Sequence, residues 1–183
     1  DRSGNSSPVL VWNHRWEYDK RPEAFFNLLF DLENEGLDFQ LIVLGASSDH
    51  FPDIFDTAKK RLKSKVLHFG YAETPSQYRT WLQMGDILPV TSAQDFFGLS
   101  VVEAIAAGLI PLLPDRLAYP EHIPVKAQND MLYDSENRMK ARLKEWIINW
   151  PDIRNKWNIQ KAVKKYDWSV LSNRYDASIE RIL

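Results

Sequence analysis

Cysteine is absent from the 183 residues, which removes disulfides and cysteine–zinc sites together. No Gly-x-Gly-x-x-Gly follows the first apolar run, and no Gly-x-x-x-x-Gly-Lys-Ser/Thr occurs anywhere. That argues against a nicotinamide dehydrogenase and against a P-loop nucleotidase. No Gly-x-Ser-x-Gly elbow is present either, and no histidine stands out as a partner for Ser100. His14, His50, His68 and His122 are scattered without ligand spacing, so no metal site is expected. His68 sits between Leu67 and Phe69 in an apolar run and reads as a half-buried strand histidine. No apolar run approaches the ~18 residues that cross a bilayer, so no membrane is expected. Charge of neither sign dominates: the formal net charge is −2, which does not describe an obligate nucleic-acid binder. Two basic runs, 59–65 and 161–165, read as solvated helix faces. Seven tryptophans are many for this length and are expected to pack helices on a sheet rather than stack bases.

What remains is ordinary globular composition, 44% hydrophobic and 26% charged, in a chain long enough for one domain with a substantial core. The polar start, residues 1–7, has no signal pattern and no initiator Met. It is expected to be a linker opening a domain, residues 8–183, cut from a longer chain. Nothing argues for secretion, and a cytoplasmic home is the expectation.

Apolar runs at Val9–Trp12, Phe39–Gly45, Val66–Tyr71, Ile87–Ser92 and Leu109–Leu113 read as five strands. The continuous run of the second suits a parallel sheet covered on both faces. Helical spacing separates them: Pro22 to Gly36, Pro52–Leu62, Ser76–Met84 with Tyr78, Trp81 and Leu82 facing in, and a short helix from Gly98 to Gly108. Parallel strands need helical crossovers, so the rhythm predicts an α/β, doubly wound, Rossmann-like parallel sheet. After Pro114 the pattern loosens through Asp130. Helices are then expected over Ser135–Asn149, Ile153–Tyr166 and Val170–Leu183.

The chain is organised around Asp95-Phe96-Phe97-Gly98-Leu99-Ser100-Val101-Val102-Glu103. A helix that opens without proline offers backbone N–H groups and a favourable dipole to an anion or to sugar hydroxyls. Asp95 alone is explained equally by a plain cap. Glu103, between Val102 and Ala104 on an apolar helix, is harder to explain structurally. Ligands bind open parallel sheets at the carboxyl ends of the strands. The loops Asn13–Lys20, Gly45–His50, Gly70–Pro75 and Ser92–Gly98 are expected to meet there, joined by Asp115–Glu121. The first carries Arg15 and Lys20, five residues apart. Guanidinium and ammonium suit the oxygens of a phosphate ligand. Taken alone, surface ion pairs with Glu17 or Asp19 are the better reading.

These residues carry a resemblance. Two acids eight positions apart flanking Phe97-Gly98 resemble the donor-site motif of retaining GT-B glycosyltransferases. Asp95 stands where Glu is usual, and Phe96 where Pro is common. Residues Trp12–Lys20 and Tyr119-Pro120-Glu121 look like one branch, the tRNA-queuosine α-mannosyltransferase family, and the likeness spans Val9 to Trp168. It implies the C-terminal, donor-binding half of a two-domain enzyme that is inactive alone. The implied donor is a nucleotide sugar, GDP-mannose. The implied acceptor is queuosine in tRNA, and the implied partner is an N-terminal half of the same chain. By the same resemblance Arg15 and Lys20 hold the diphosphate, Asp95 meets sugar hydroxyls and Glu103 meets the ribose hydroxyls. The amides of Phe97, Gly98 and Leu99 lie by sugar and phosphate, His14 touches phosphate through its backbone, and the base lies against Phe69-Gly70-Tyr71. Tyr119 and Glu121 line the pocket, no metal or other cofactor is required, and configuration is retained without a covalent protein intermediate. Two other readings stand beside it: a non-catalytic nucleotide- or protein-binding α/β module, and half of a sugar-nucleotide epimerase.

Overall fold

The computed structural model describes residues 7–46 and 51–181. Six parallel strands run in the order β3-β2-β1-β4-β5-β6: β1 Val9–Trp12, β2 Gln40–Leu44, β3 Val66–Gly70, β4 Ile87–Pro89, β5 Ile110–Pro114 and β6 Leu132–Tyr133. Connections wind outward in both directions from β1 and β4, so the strand order reverses between these two neighbours. Parallel sheets open a crevice at such a point, beyond the carboxyl ends of the strands.

Local chemistry accounts for the helices. In α1, Pro22–Asn34, proline takes the first turn and Phe25, Phe26, Leu29 and Leu32 bury one stripe. Helix α2 is Ile54–Arg61. Helix α3, Pro75–Met84, starts where the Thr74 hydroxyl accepts from the Gln77 amide at 3.1 Å. Helix α4, Leu99–Ala107, lies between Gly98 and Gly108, both left-handed. It packs on α3 and, on its other flank, on α9, Gln160–Val163.

The core is aromatic on the β1 side. Trp12, fully buried, meets Phe25, Phe26 and Phe55, and Trp16 stacks on Phe55 at 4.4 Å. Burial of such rings contributes roughly 1.5–3 kcal/mol each, which anchors the end of β1 from beneath.

The five expected strands are present, the fourth ending at Pro89 rather than Ser92. The stretch after Pro114 is more regular than its sequence: α5 Tyr119–His122, α6 Val125–Met131 and the two-residue β6. Helix α7, Glu136–Ile148, agrees with expectation. The helix expected over Ile153–Tyr166 is instead three short pieces: the end of α8 (Trp150–Ile153), α9 and a 3-10 turn at Lys164–Tyr166. Asn155 and Asn158 lie where it breaks, and asparagine favours turns by bonding nearby backbone. Helix α10, Trp168–Glu180, buries none of its residues, and Trp168 is 71% exposed against the expected packing role. The expected linker, apart from Ser7, and residues 47–50 with His50 lie outside the described residues. Among those described, no helix is long and apolar enough to cross a membrane.

Candidate functional site at the sheet crevice

Two loops separated by more than seventy residues are joined at the crevice. The polar loop after β1 contains a 3-10 turn, Tyr18–Lys20, absent from the sequence reading. That turn places it against the segment after β4. The Ala93 amide donates to the Asp19 carbonyl at 2.8 Å, and the Thr91 hydroxyl donates to the Lys20 carbonyl at 2.9 Å. The Lys20 side chain is buried, donates to the Gln94 carbonyl at 2.9 Å, pairs with Asp19 at 3.1 Å and stands 3.9 Å from Asp95. Arg15 behaves differently: its side chain is 66% exposed and pairs with Glu17 at 2.9 Å. Both of the alternative ion pairs therefore exist, but only Lys20 also reaches the motif.

Asp95 is both a cap and more. One carboxylate oxygen accepts from the Gly98 amide at 3.1 Å, the other from the Tyr119 hydroxyl at 3.3 Å. The Gly98 amide is thus engaged by Asp95 in this structure. Leu99 and Ser100 open α4, where amides have no intrahelical acceptor. Gly98 has φ +81°, and a side chain there would press on the Tyr119 ring. Tyr119 is buried, so it supports the motif from beneath instead of lining an open pocket. Burial, then the Asp95 charge, push its phenol well above the ordinary range. Glu121 is exposed on the same short helix, and its carbonyl accepts from Lys165.

Phe97 is held in a way the sequence did not show. The His122 Nε2–H donates to its carbonyl at 2.6 Å, and His122 Nδ1 meets the Tyr166 hydroxyl at 3.0 Å. The three rings meet edge to face. Burial lowers the His122 pKa, which keeps this relay neutral. Phe96 projects into solvent, 90% exposed.

Glu103 is exposed on the outer face of α4 and accepts from the Tyr78 hydroxyl at 2.9 Å. Tyr78 in turn is reached by Asn13 Nδ2 at 3.3 Å. Burial, then Glu103, raise the Tyr78 phenol. Tyr78 was legible only as a core-facing aromatic. It forms the wall shared by two clefts, one of about 260 Å³ beside Gly45, Tyr71 and Glu73, the other of about 390 Å³ beside Glu103. Gly70 leaves β3 at φ +145° into the first cleft's rim, and His68 Nε2 caps its carbonyl at 3.1 Å. His68 stacks on Trp81 and is half-buried, as expected.

His14 is 3% exposed and its carbonyl accepts from Trp12 Nε1 at 2.9 Å. Its ring Nδ1 meets the Ser100 hydroxyl at 3.1 Å, so Ser100 does have a histidine partner, eighty-six residues away. Burial brings the His14 pKa down to about 4; Asp95 and Asp19 oppose this and Lys20 adds to it. Such a weak base cannot activate a serine nucleophile near pH 7, and among the described residues no carboxylate orients the other ring nitrogen. Gly45, at φ +130°, is required because a side chain there would collide with the His14 carbonyl. Among the described residues, no three histidine or carboxylate groups gather as a metal site.

The sheet order, the flanking helices and the crevice at the reversal make this a Rossmann-like α/β fold, and the solved structures it superposes on are GT-B glycosyltransferases. Residues 2–164 match the model of the family described as glycosyl transferases group 1, and the chain belongs to that family. It is 34% identical over 134 residues to a Drosophila melanogaster tRNA-queuosine alpha-mannosyltransferase, covering 73% of this chain and 34% of that protein. It is 25% identical over 173 residues to a GDP-mannose:cellobiosyl-diphosphopolyprenol alpha-mannosyltransferase of Xanthomonas oryzae pv. oryzae, covering 91% and 45%. The solved structure of Anabaena HepE in complex with UDP superposes with a TM-score of 0.73 at 17% identity, covering 97% of this chain and 50% of that one. The chain thus spans a third to a half of the length of these proteins.

Proposed function

We propose that this chain is the donor-binding C-terminal half of a retaining glycosyltransferase that moves mannose from GDP-mannose to queuosine in tRNA. The observation that carries the reading is the joining of Lys20, Asp95 and the start of α4 at the sheet crevice, one turn-and-a-half from Glu103. Lys20, with Arg15 swung from Glu17, supplies the positive charge that a departing diphosphate needs, so the reading calls for no metal. Asp95 meets hydroxyls of the sugar, and its shorter side chain leaves room that Glu would fill. Glu103 accepts from the two ribose hydroxyls in the cleft beside Tyr78.

Glu73 supports a guanine base. Its carboxylate lines the neighbouring cleft with Tyr71. Guanine presents two adjacent donors, N1–H and N2–H, which a carboxylate accepts together. Uracil presents one N–H between two carbonyls that a carboxylate repels. The mannosyltransferase relatives support the sugar and, for one of them, the acceptor.

Calorimetric titration with GDP, UDP and GDP-mannose tests the reading. GDP is expected to bind at least tenfold more tightly than UDP, with Glu73→Gln erasing the difference. Equal affinities remove the base assignment, and no binding of either removes the donor reading. The chain alone is expected to bind donor and transfer nothing, because one half supplies only part of the near-attack geometry.

A further inference from the structure

Ser100 is held from two sides by the end of β1. Asn13 Nδ2 donates to its carbonyl at 2.7 Å, and His14 Nδ1 lies 3.1 Å from its hydroxyl. Thr80 and Ser178, further inside their helices, turn back to the carbonyl four residues earlier, at 3.0 and 2.8 Å. Ser100, at the second position of α4, has no helical carbonyl there, and its hydroxyl meets an imidazole.

The ring is fixed. Trp12 lies edge-on to it at 5.3 Å and ties its carbonyl, and Gly45 closes on the backbone. Its other nitrogen, Nε2, is buried and meets no partner among the described residues. The neutral ring has two tautomers. If Ser100 donated to Nδ1, Nε2 would carry a buried N–H with no acceptor. If Nδ1–H donates to Ser100, Nε2 keeps only a bare lone pair. Orphaned buried N–H groups are the rarer of the two, so the second tautomer is assigned. The serine oxygen is then an acceptor toward His14, and its own proton is free to turn outward. Ser100 is half-buried at the second position of α4, beside the two amides that open the helix.

We propose that the Ser100 hydroxyl donates to a phosphate oxygen of the bound nucleotide and that His14 is the residue that positions it. This rests on the donor-site reading above. His14 does not touch the ligand through its ring; it fixes which way the serine proton points. The Leu99 and Ser100 amides and the hydroxyl then form a three-donor cradle, with Lys20 opposite.

The test is calorimetry with GDP and with guanosine on Ser100→Ala, His14→Phe, His14→Asn and the Ser100→Ala/His14→Phe double variant, with melting temperatures alongside. Ser100→Ala and His14→Phe are each expected to weaken GDP roughly tenfold and to leave guanosine unchanged. His14→Asn, which keeps an N–H for Ser100, is expected to recover most of the loss. The double variant should be no weaker than either single one, since both remove one interaction. Additive losses, His14→Asn as weak as His14→Phe, or GDP affinity unchanged in His14→Phe whatever its melting temperature would overturn the positioning role. Wild-type protein that binds neither GDP nor UDP overturns the donor reading itself. Ring ¹⁵N shifts at pH 7 decide the pair separately: a protonated Nδ1 is expected, and a protonated Nε2 with bare Nδ1 overturns the assignment even where GDP binds.

Discussion

Asp95 and Glu103 stand eight residues apart around one helix start, yet the structure treats them in opposite ways. Asp95 accepts from Gly98 and Tyr119 and faces a buried lysine. Glu103 is exposed beside an open cleft and meets the Tyr78 hydroxyl. The same contrast divides the site. Toward the crevice, Lys20, His14 and Ser100 are buried or half-buried and bonded across distant loops. Toward α3, Tyr71, Glu73 and Glu103 are exposed. Under the proposed function the fixed side would meet developing charge, where no reorganisation is then required during reaction, and the open side would close on a nucleoside as it arrives.

Acid separates the two sides most strongly. Folded His14 has a pKa of about 4 against 6.5 when unfolded, so the folded state refuses a proton that the unfolded chain accepts. Its contribution is complete above pH 6.5, declines as pH falls, and is lost near pH 4. The full span is about 3 kcal/mol. Thermal melts at pH 7 and 4.5 should show wild type losing several degrees more than His14→Asn, which has nothing to titrate there. Parallel acid slopes for the two proteins would contradict the burial of a neutral imidazole.

Next in size, Lys20→Ala should weaken GDP tenfold or more, as expected for charge-assisted bonds of about 1.5–3 kcal/mol, and lower the melting temperature as well. Arg15→Ala should weaken GDP without moving the melting temperature, since its side chain is largely exposed. Guanosine should be indifferent to both. Wild-type affinity for GDP in both variants would remove the diphosphate role from this loop.

The smallest effect belongs to the open side. Tyr78→Phe removes one hydrogen bond to Glu103, about 1 kcal/mol, and should weaken GDP about fivefold while sparing 2′,3′-dideoxy-GDP. Glu103→Gln should show the same preference more strongly, because an amide cannot accept two ribose hydroxyls equally. Equal losses for both ligands would make the pair structural.

The frame of this molecule was readable because parallel strands are short apolar runs bounded by turns, and five of six announce themselves so. Strand β6 has two residues, Leu132 and Tyr133, too few to show any period. The acids of the motif were readable from their spacing, as was the cap made by Asp95. Lys20 was readable as a cation but not as a buried one, because its burial comes from a 3-10 turn pressed on a segment seventy residues away. The Ser100–His14 pair and the His122–Phe97 relay were hidden for the same reason: each joins groups that only the closed sheet brings together. Helix α10 shows the reverse case, a helix expected over Val170–Leu183 and present over Trp168–Glu180, with none of its residues buried.

The bonds that sew the β1 loop to the segment after β4 also set when the site comes into being. Ala93 to Asp19 and Lys20 to Gln94 each close a loop of more than seventy residues. Contacts of such separation are made late, after the chain has already lost the entropy of bringing β1 beside β4. The proposed donor site is therefore assembled only when these two distant segments are joined. The Ala93 amide is expected to exchange its hydrogen only when the β1 loop parts from the segment after β4, and the proposed phosphate site is incomplete until the residues through Gln94 have been made.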